Sequence, residues 1–82
     1  MTIKIKFFAI LRERAGTGEI SQEIIAGSTV GDLWNLIQSK YPKLAAPGFR
    51  LLFAVNQNYV TAEHVLRNDD ELAIIPPVSG GL

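Results

Sequence analysis

The opening stretch "TIKIKFFA" alternates in character. Ile3, Ile5 and Phe7 fall on one face and Lys4, Lys6 and Phe8 on the other, which is the period of a half-buried strand. The alternation leaves one large ring, Phe8, on the polar face. "ILRERAGTG" then reads as a helical turn at most, closed by Gly16, Thr17 and Gly18, and "EISQEIIA" predicts a second strand, so the first two strands form a hairpin with a wide connection. From Thr29 to Tyr41 the apolar residues recur as Val30, Leu33, Trp34, Ile37 and Tyr41, a helical stripe. Thr29 with Asp32 resembles a capping arrangement, and Pro42 ends the helix. "LLFAV" is too short for a helix and continuously apolar, which predicts a strand buried on both faces or nearly so. "NQN" makes a turn into a short strand at Tyr59 and Val60, and "RNDD" makes another into a last strand, "ELAIIP".

The resulting order is strand, strand, helix, strand, short strand, strand, with no repeat, linker or low-complexity segment. It predicts an α+β domain: one mixed sheet packed on a single main helix. The last strand inserts beside the first in parallel, because the intervening chain supplies the long crossover that parallel pairing needs. This is the β-grasp, or ubiquitin-like, arrangement. It is expected over residues 1–75, with residues 76–82 forming an extended tail.

Composition narrows the function. At 82 residues the chain supports one core, burying roughly 60% of the surface of its unfolded form. Eight basic and eight acidic residues cancel and are scattered rather than blocked, so there is no stripe for phosphate and nucleic acid is not an expected partner. No uninterrupted apolar run approaches the ~20 residues of a membrane helix, and Lys4 and Lys6 interrupt the position of a signal peptide, so no membrane association and a cytoplasmic location are expected. There is no cysteine, hence no disulfide and no thiolate within the chain. His64 lies in a polar connection without a second histidine at ligand spacing, which reads as a surface loop rather than a metal site.

Two features remain unabsorbed by the fold. If Leu72 and Ile74 pack on the helix, Ile75 lies on the outer face of the sheet beside Phe8. The two form the nucleus of an exposed apolar patch that Tyr59 extends. The plainer alternative is a pair of isolated exposed residues, which are common. The second feature is the tail, "PPVSGGL". Pro76 and Pro77 donate no ladder hydrogen bonds and bias the chain toward extension, so the strand stops and the tail projects outward. From Pro76 to Gly81 it spans roughly 20 Å when extended, and Gly80-Gly81 carries no Cβ that would clash in a narrow channel. A carboxylate delivered in this way is suited to activation by adenylation. Sulfur attack on the adenylate leaves a thiocarboxylate; attack by a lysine amine leaves an isopeptide bond. In either case the chain is a carrier, in keeping with the lack of an internal catalytic constellation in the sequence.

The blocks "KFFAILRERAG", "LLFAVNQNYV" and "DDELAIIPPVSGG" together resemble the sulfur-carrier small subunits of molybdopterin synthase, within the ubiquitin-like sulfur-carrier family, and the resemblance covers nearly the whole chain. Thiamine-pathway sulfur carriers share the fold and the Gly-Gly end but are usually shorter and lack the combination of "FFA" with "PPV". The resemblance implies a cycle. An E1-like enzyme adenylates the terminal glycine with ATP, a sulfurtransferase supplies sulfur, and the thiocarboxylated tail enters the large subunit of the synthase. There the sulfur passes to cyclic pyranopterin monophosphate. No cofactor is expected to be bound permanently, the catalytic residues are expected on the large subunit, and two carriers with a dimeric large subunit make a heterotetramer. By position, Gly81 matches the thiocarboxylated residue and Gly80 its partner in the channel. Phe8, Tyr59 and Ile75 match the apolar contact with the large subunit and the activating enzyme, and Pro76, Pro77 and Val78 lead the tail into the channel.

Leu82 departs from the pattern, because with it the free carboxylate belongs to a branched residue and Gly81 is locked in a peptide bond. As written, the chain is expected to be inactive or poorly activated. A precursor trimmed by a peptidase or a residue added for expression is preferred to a pathway that tolerates the extra residue. Self-association of the isolated chain through the apolar patch stays open. So do two other functions: a ubiquitin-like modifier of proteins, and a plain binding module with an inert tail.

Overall fold

The structure is a computed structural model that describes residues 1–44 and 50–76. Chain order is β1 (Thr2–Phe7), α1 (Ile10–Ala15), β2 (Glu19–Glu23), α2 (Val30–Lys40), a 3-10 turn (Pro42–Leu44), β3 (Leu52–Val55), β4 (Asn58–Val60) and β5 (Glu71–Ile75). The strands of the described residues form one five-stranded sheet in the order β2-β1-β5-β3-β4. β5 lies parallel to β1 and antiparallel to β3, with β2 and β4 as the antiparallel edges. This is the mixed β-grasp sheet that the order of elements predicts.

The alternation in β1 holds residue by residue. Ile3 and Ile5 are fully buried and Phe7 nearly so, and from the neighbouring β5 Leu72 and Ile74 are fully buried on the same inner face. Val30, Leu33 and Ile37 of α2 meet them, and Leu11, Leu44, Val55 and Leu66 complete the core. Aromatic rings close its margins. Phe7 meets Tyr41, and Trp34 meets Phe53, each edge-to-face with centroids 6.4 Å apart.

The start of α2 has no orphan donor. The Thr29 backbone N–H donates to Asp32 Oδ2 at 3.0 Å, and the Asp32 N–H donates to Thr29 Oγ1 at 3.1 Å, a reciprocal capping box. The two N–H groups between them turn to the loop before β5: Val30 donates to the carbonyl of His64 and Gly31 to that of Ala62, both at 2.9 Å. A side chain at position 31 would place its Cβ 3.3 Å from the Ala62 oxygen, so glycine is what lets the loop carbonyl approach. Thr29→Ala removes one half of the box. It is expected to lower stability by about 1 kcal/mol, a fall in melting temperature of roughly 4–8 °C for a domain of this size, measurable by thermal unfolding.

A second lock fixes β5. Asn56 and Gln57 both take positive φ, 49° and 72°, the conformation of a two-residue hairpin turn between β3 and β4. Asn56 bonds Glu71 twice, donating its N–H to the Glu71 carbonyl at 2.9 Å and accepting the Glu71 N–H on Oδ1 at 3.0 Å. Its amide donates to Asp70 Oδ1 at 2.8 Å, while Asp70 Oδ2 accepts the Arg67 N–H at 2.7 Å. Asp70 is buried with these partners, and its carbonyl accepts the Lys4 N–H at 3.0 Å. The turn before β5 is thereby tied to both strands that flank β5, and this holds the sheet register.

Three expectations are corrected. Residues 10–15 form a six-residue helix rather than a turn at most, with Leu11 buried beneath it and Gly16 closing it at φ 78°, a left-handed conformation suited to glycine. The α2 helix is therefore joined by α1 and the 3-10 turn. The strand predicted in residues 19–26 stops at Glu23, and Ile25 is exposed. "LLFAV" is not buried on both faces: Leu51 precedes the strand and Leu52 is 49% exposed on the outer face. Its continuous apolar character arises because both faces carry apolar side chains, one for the core and one outward.

Candidate functional site

The outer face of the sheet is organised in rows across the strands. Phe7 pairs with Ile74, so Phe8, one residue beyond β1, comes level with Ile75, and Ile75 in turn pairs with Leu52. The next row runs Lys6, Ala73, Ala54 and Tyr59. Large side chains thus stand around two alanines. The result is a hollow of ≈ 310 Å³ bordered by Phe8, Tyr59, Ile75, Gln57, Lys6 and Glu71.

Phe8, Tyr59 and Ile75, the three apolar contact residues expected from the sequence, are therefore brought together. Phe8 is 44% exposed and Tyr59 71%, while Ile75 is half-buried. Leu52 belongs with them and was missed, because its position in a continuous apolar run concealed its face. Only the pairing of β3 with β5 reveals it. Pro76 lies beside this end of the sheet and is buried. Pro77, Val78, Gly80 and Gly81 lie outside the described residues.

The charges that border the hollow are paired. Lys6 Nζ stands 3.4 Å from Glu71 Oε2, and outside the border Lys4 Nζ stands 3.9 Å from Glu19 Oε2. Exposed pairs of this kind contribute about 0–1 kcal/mol each; their effect here is to leave the apolar hollow without net charge. Among the described residues no three His, Asp or Glu side chains gather into a group that would hold a metal ion. His64 is an exposed loop residue. No helix of the described residues is long and apolar enough to cross a membrane. Chemically, the face offers an apolar surface with neutralised flanks at the end of the sheet where residue 76 leaves it, which is the makeup of a protein-docking site.

Comparison with known proteins places this geometry in context. The chain matches the ThiS family over residues 5–81. It is 43% identical to the molybdopterin synthase sulfur carrier subunit of Escherichia coli (strain K12), over 96% of this chain and 99% of that one. It is 41% identical to the subunit of the same name from Chlamydomonas reinhardtii, over 99% of this chain and 100% of that one. Among solved structures it is similar to small archaeal modifier protein 1 (SAMP1) of Haloferax volcanii, with a TM-score of 0.89 and 28% identity over 99% of this chain and 100% of that one.

Proposed function

The chain belongs to the ThiS family, and from that membership we propose that it is the sulfur carrier subunit of a molybdopterin synthase, acting in molybdenum cofactor biosynthesis. The observation that carries this reading is the sheet register, which collects Phe8, Ile75, Leu52 and Tyr59 into one apolar face at the point where the chain leaves the sheet toward Gly80 and Gly81. A partner seated on that face has Pro76, the last described residue before the Gly-Gly end, beside it.

In the proposed cycle the Gly81 carboxylate, once Leu82 is removed, attacks the α-phosphate of ATP in an E1-like activating enzyme. Pyrophosphate leaves, and the carboxylate becomes an acyl adenylate. A sulfur nucleophile at the level of sulfide, delivered through a sulfurtransferase, adds to the acyl carbon and expels AMP, which leaves a thiocarboxylate. The charged carrier then docks on the large subunit through the Phe8 face, with Pro76, Pro77 and Val78 directing Gly80 and Gly81 into its active site. There the thiocarboxylate sulfur attacks cyclic pyranopterin monophosphate, and water hydrolyses the resulting acyl–sulfur bond, so that the sulfur stays on the substrate and Gly81 returns as a carboxylate; the residues that promote both steps belong to the large subunit. Two carriers on a dimeric large subunit complete the assembly, in the cytoplasm. ATP is consumed by the activating enzyme and is not a ligand of the carrier.

Intact mass decides the chemistry. A chain ending at Gly81, incubated with ATP, activating enzyme and a sulfur source, is expected to gain the increment of one oxygen replaced by sulfur, while the chain retaining Leu82 gains nothing. Absence of the increment on the shorter chain sinks the carrier reading. The similarity to an archaeal modifier protein favours a second use of the same adenylate, attack by a lysine amine. Gly-Gly remnants on lysines of cellular proteins, dependent on this chain, are its signature.

A further inference from the structure

On the β2 side of Phe8 lies a second depression, ≈ 460 Å³, lined by Lys6, Phe7, Phe8, Arg12, Gly18 and Glu19. Arg12 comes from α1, and its guanidinium rests against the backbone of Gly18. A Cβ built at position 18 would stand 3.0 Å from Arg12 Cζ, 3.1 Å from Nη1 and 3.2 Å from Nε. The missing side chain at Gly18 is thus the seat of the guanidinium. The other charges of the depression are engaged, Lys6 with Glu71 and Glu19 with Lys4. Among the described residues the Arg12 guanidinium makes no hydrogen bond or ion pair.

Of the described charged residues that line this depression, Arg12, a cation at the margin of an apolar face, is the one left to be complemented from outside. We propose that Arg12 is the charged anchor of the docking face and receives a carboxylate side chain of the large subunit while Phe8 packs beside it. The planar guanidinium suits a carboxylate, whose two oxygens it meets with two parallel N–H groups. Its seat on Gly18 holds the plane in place before the partner arrives, so less side-chain freedom is lost on binding. The pair would fix the rotation of the carrier on its partner, which an apolar contact alone leaves loose, and would draw the two proteins together. This inference rests on the reading of the Phe8 face as the docking face for the large subunit.

The test measures association and dissociation of the full chain with the large subunit at ~0.05 M and ~0.5 M salt, where charge screening differs strongly. Arg12→Gln is expected to raise Kd about tenfold at the lower salt and less than about twofold at the higher, with much of the change in the association rate. Gly18→Ala keeps the charge and unseats the guanidinium. The atoms in its way are the flexible end of a side chain, so the fold accommodates it. It is expected to leave association near wild type and to speed dissociation several-fold. Arg12→Gln binding as wild type at the lower salt overturns the proposal, and so does a loss of equal size at both salts. Phe8→Asp separates the two readings. If it abolishes binding while Arg12→Gln does not change it, the anchor alone is wrong; if neither variant affects binding, the docking face is wrong as well.

Discussion

A chain shortened to end at Ser79 folds as the full chain does and transfers no sulfur. The buried core runs from Ile3 to Ile74, and the hydrogen bonds that set the register of β5 involve Asn56, Arg67, Asp70 and Glu71, all remote from the deletion. Its melting temperature is accordingly expected to stay within the shift produced by ±0.5 kcal/mol, the usual range for changes away from packed groups. The chemistry is affected quite differently. Removing Gly80 and Gly81 draws the terminal carboxylate back by roughly 7 Å of extended chain. It also places that carboxylate on Ser79, whose Cβ occupies space that glycine leaves free. In the adenylating site and in the large subunit the reacting carbon then lies out of reach, and displacement by that distance removes the near-attack geometry altogether. Single-turnover assays with the activating enzyme and with the large subunit are expected to show neither thiocarboxylate nor product. Undiminished product from the shortened chain would establish the tail as inert and the protein as a binding module.

Phe7 and Phe8 are adjacent, and their replacement is expected to give opposite phenotypes. Phe7 is 2% exposed, packed in the core and edge-to-face with Tyr41. Phe7→Ala leaves a cavity there and is expected to remove about 3–5 kcal/mol of stability. That is a large share of the 5–15 kcal/mol typical of a whole domain, and the melting temperature falls by roughly 15–30 °C. Phe8 makes no such contribution. Phe8→Asp is expected to fold with a melting temperature within a few degrees of wild type, yet to bind the large subunit at least ~100-fold more weakly. A docking anchor has become a carboxylate that must be stripped of water against an apolar partner surface. Thermal unfolding and binding titration on the same two variants separate these roles. Normal binding by Phe8→Asp would remove the outer face from the mechanism.

The contrast between those two residues was legible in eight letters, because alternation along a strand is local: a side chain two positions on returns to the same face whatever the strand pairs with. The capping box of Thr29 and Asp32 and the stripe from Val30 to Ile37 were legible for the same reason, since both partners lie within one or two turns of helix. So was the chemistry of the Gly-Gly end, which depends on covalent structure alone. The short helix over residues 10–15 was not. Its stability comes from burying Leu11 in the core and packing against the 3-10 turn of Pro42–Leu44, distant in the chain, and six residues of helix have little propensity of their own.

The sequence by itself determined which residues share a face of a strand, where the main helix begins and ends, and what chemistry the tail can undergo. Only the tertiary structure decided which strands stand side by side. It turned Leu52 outward beside Ile75, set Ala54 and Ala73 together as the floor of the hollow, and brought the loop carbonyls of Ala62 and His64 to the start of α2. It also seated Arg12 on Gly18 next to Phe8. Each of these contacts joins elements far apart or differently shaped, and its geometry follows from sheet register and close packing, which no local run of residues encodes.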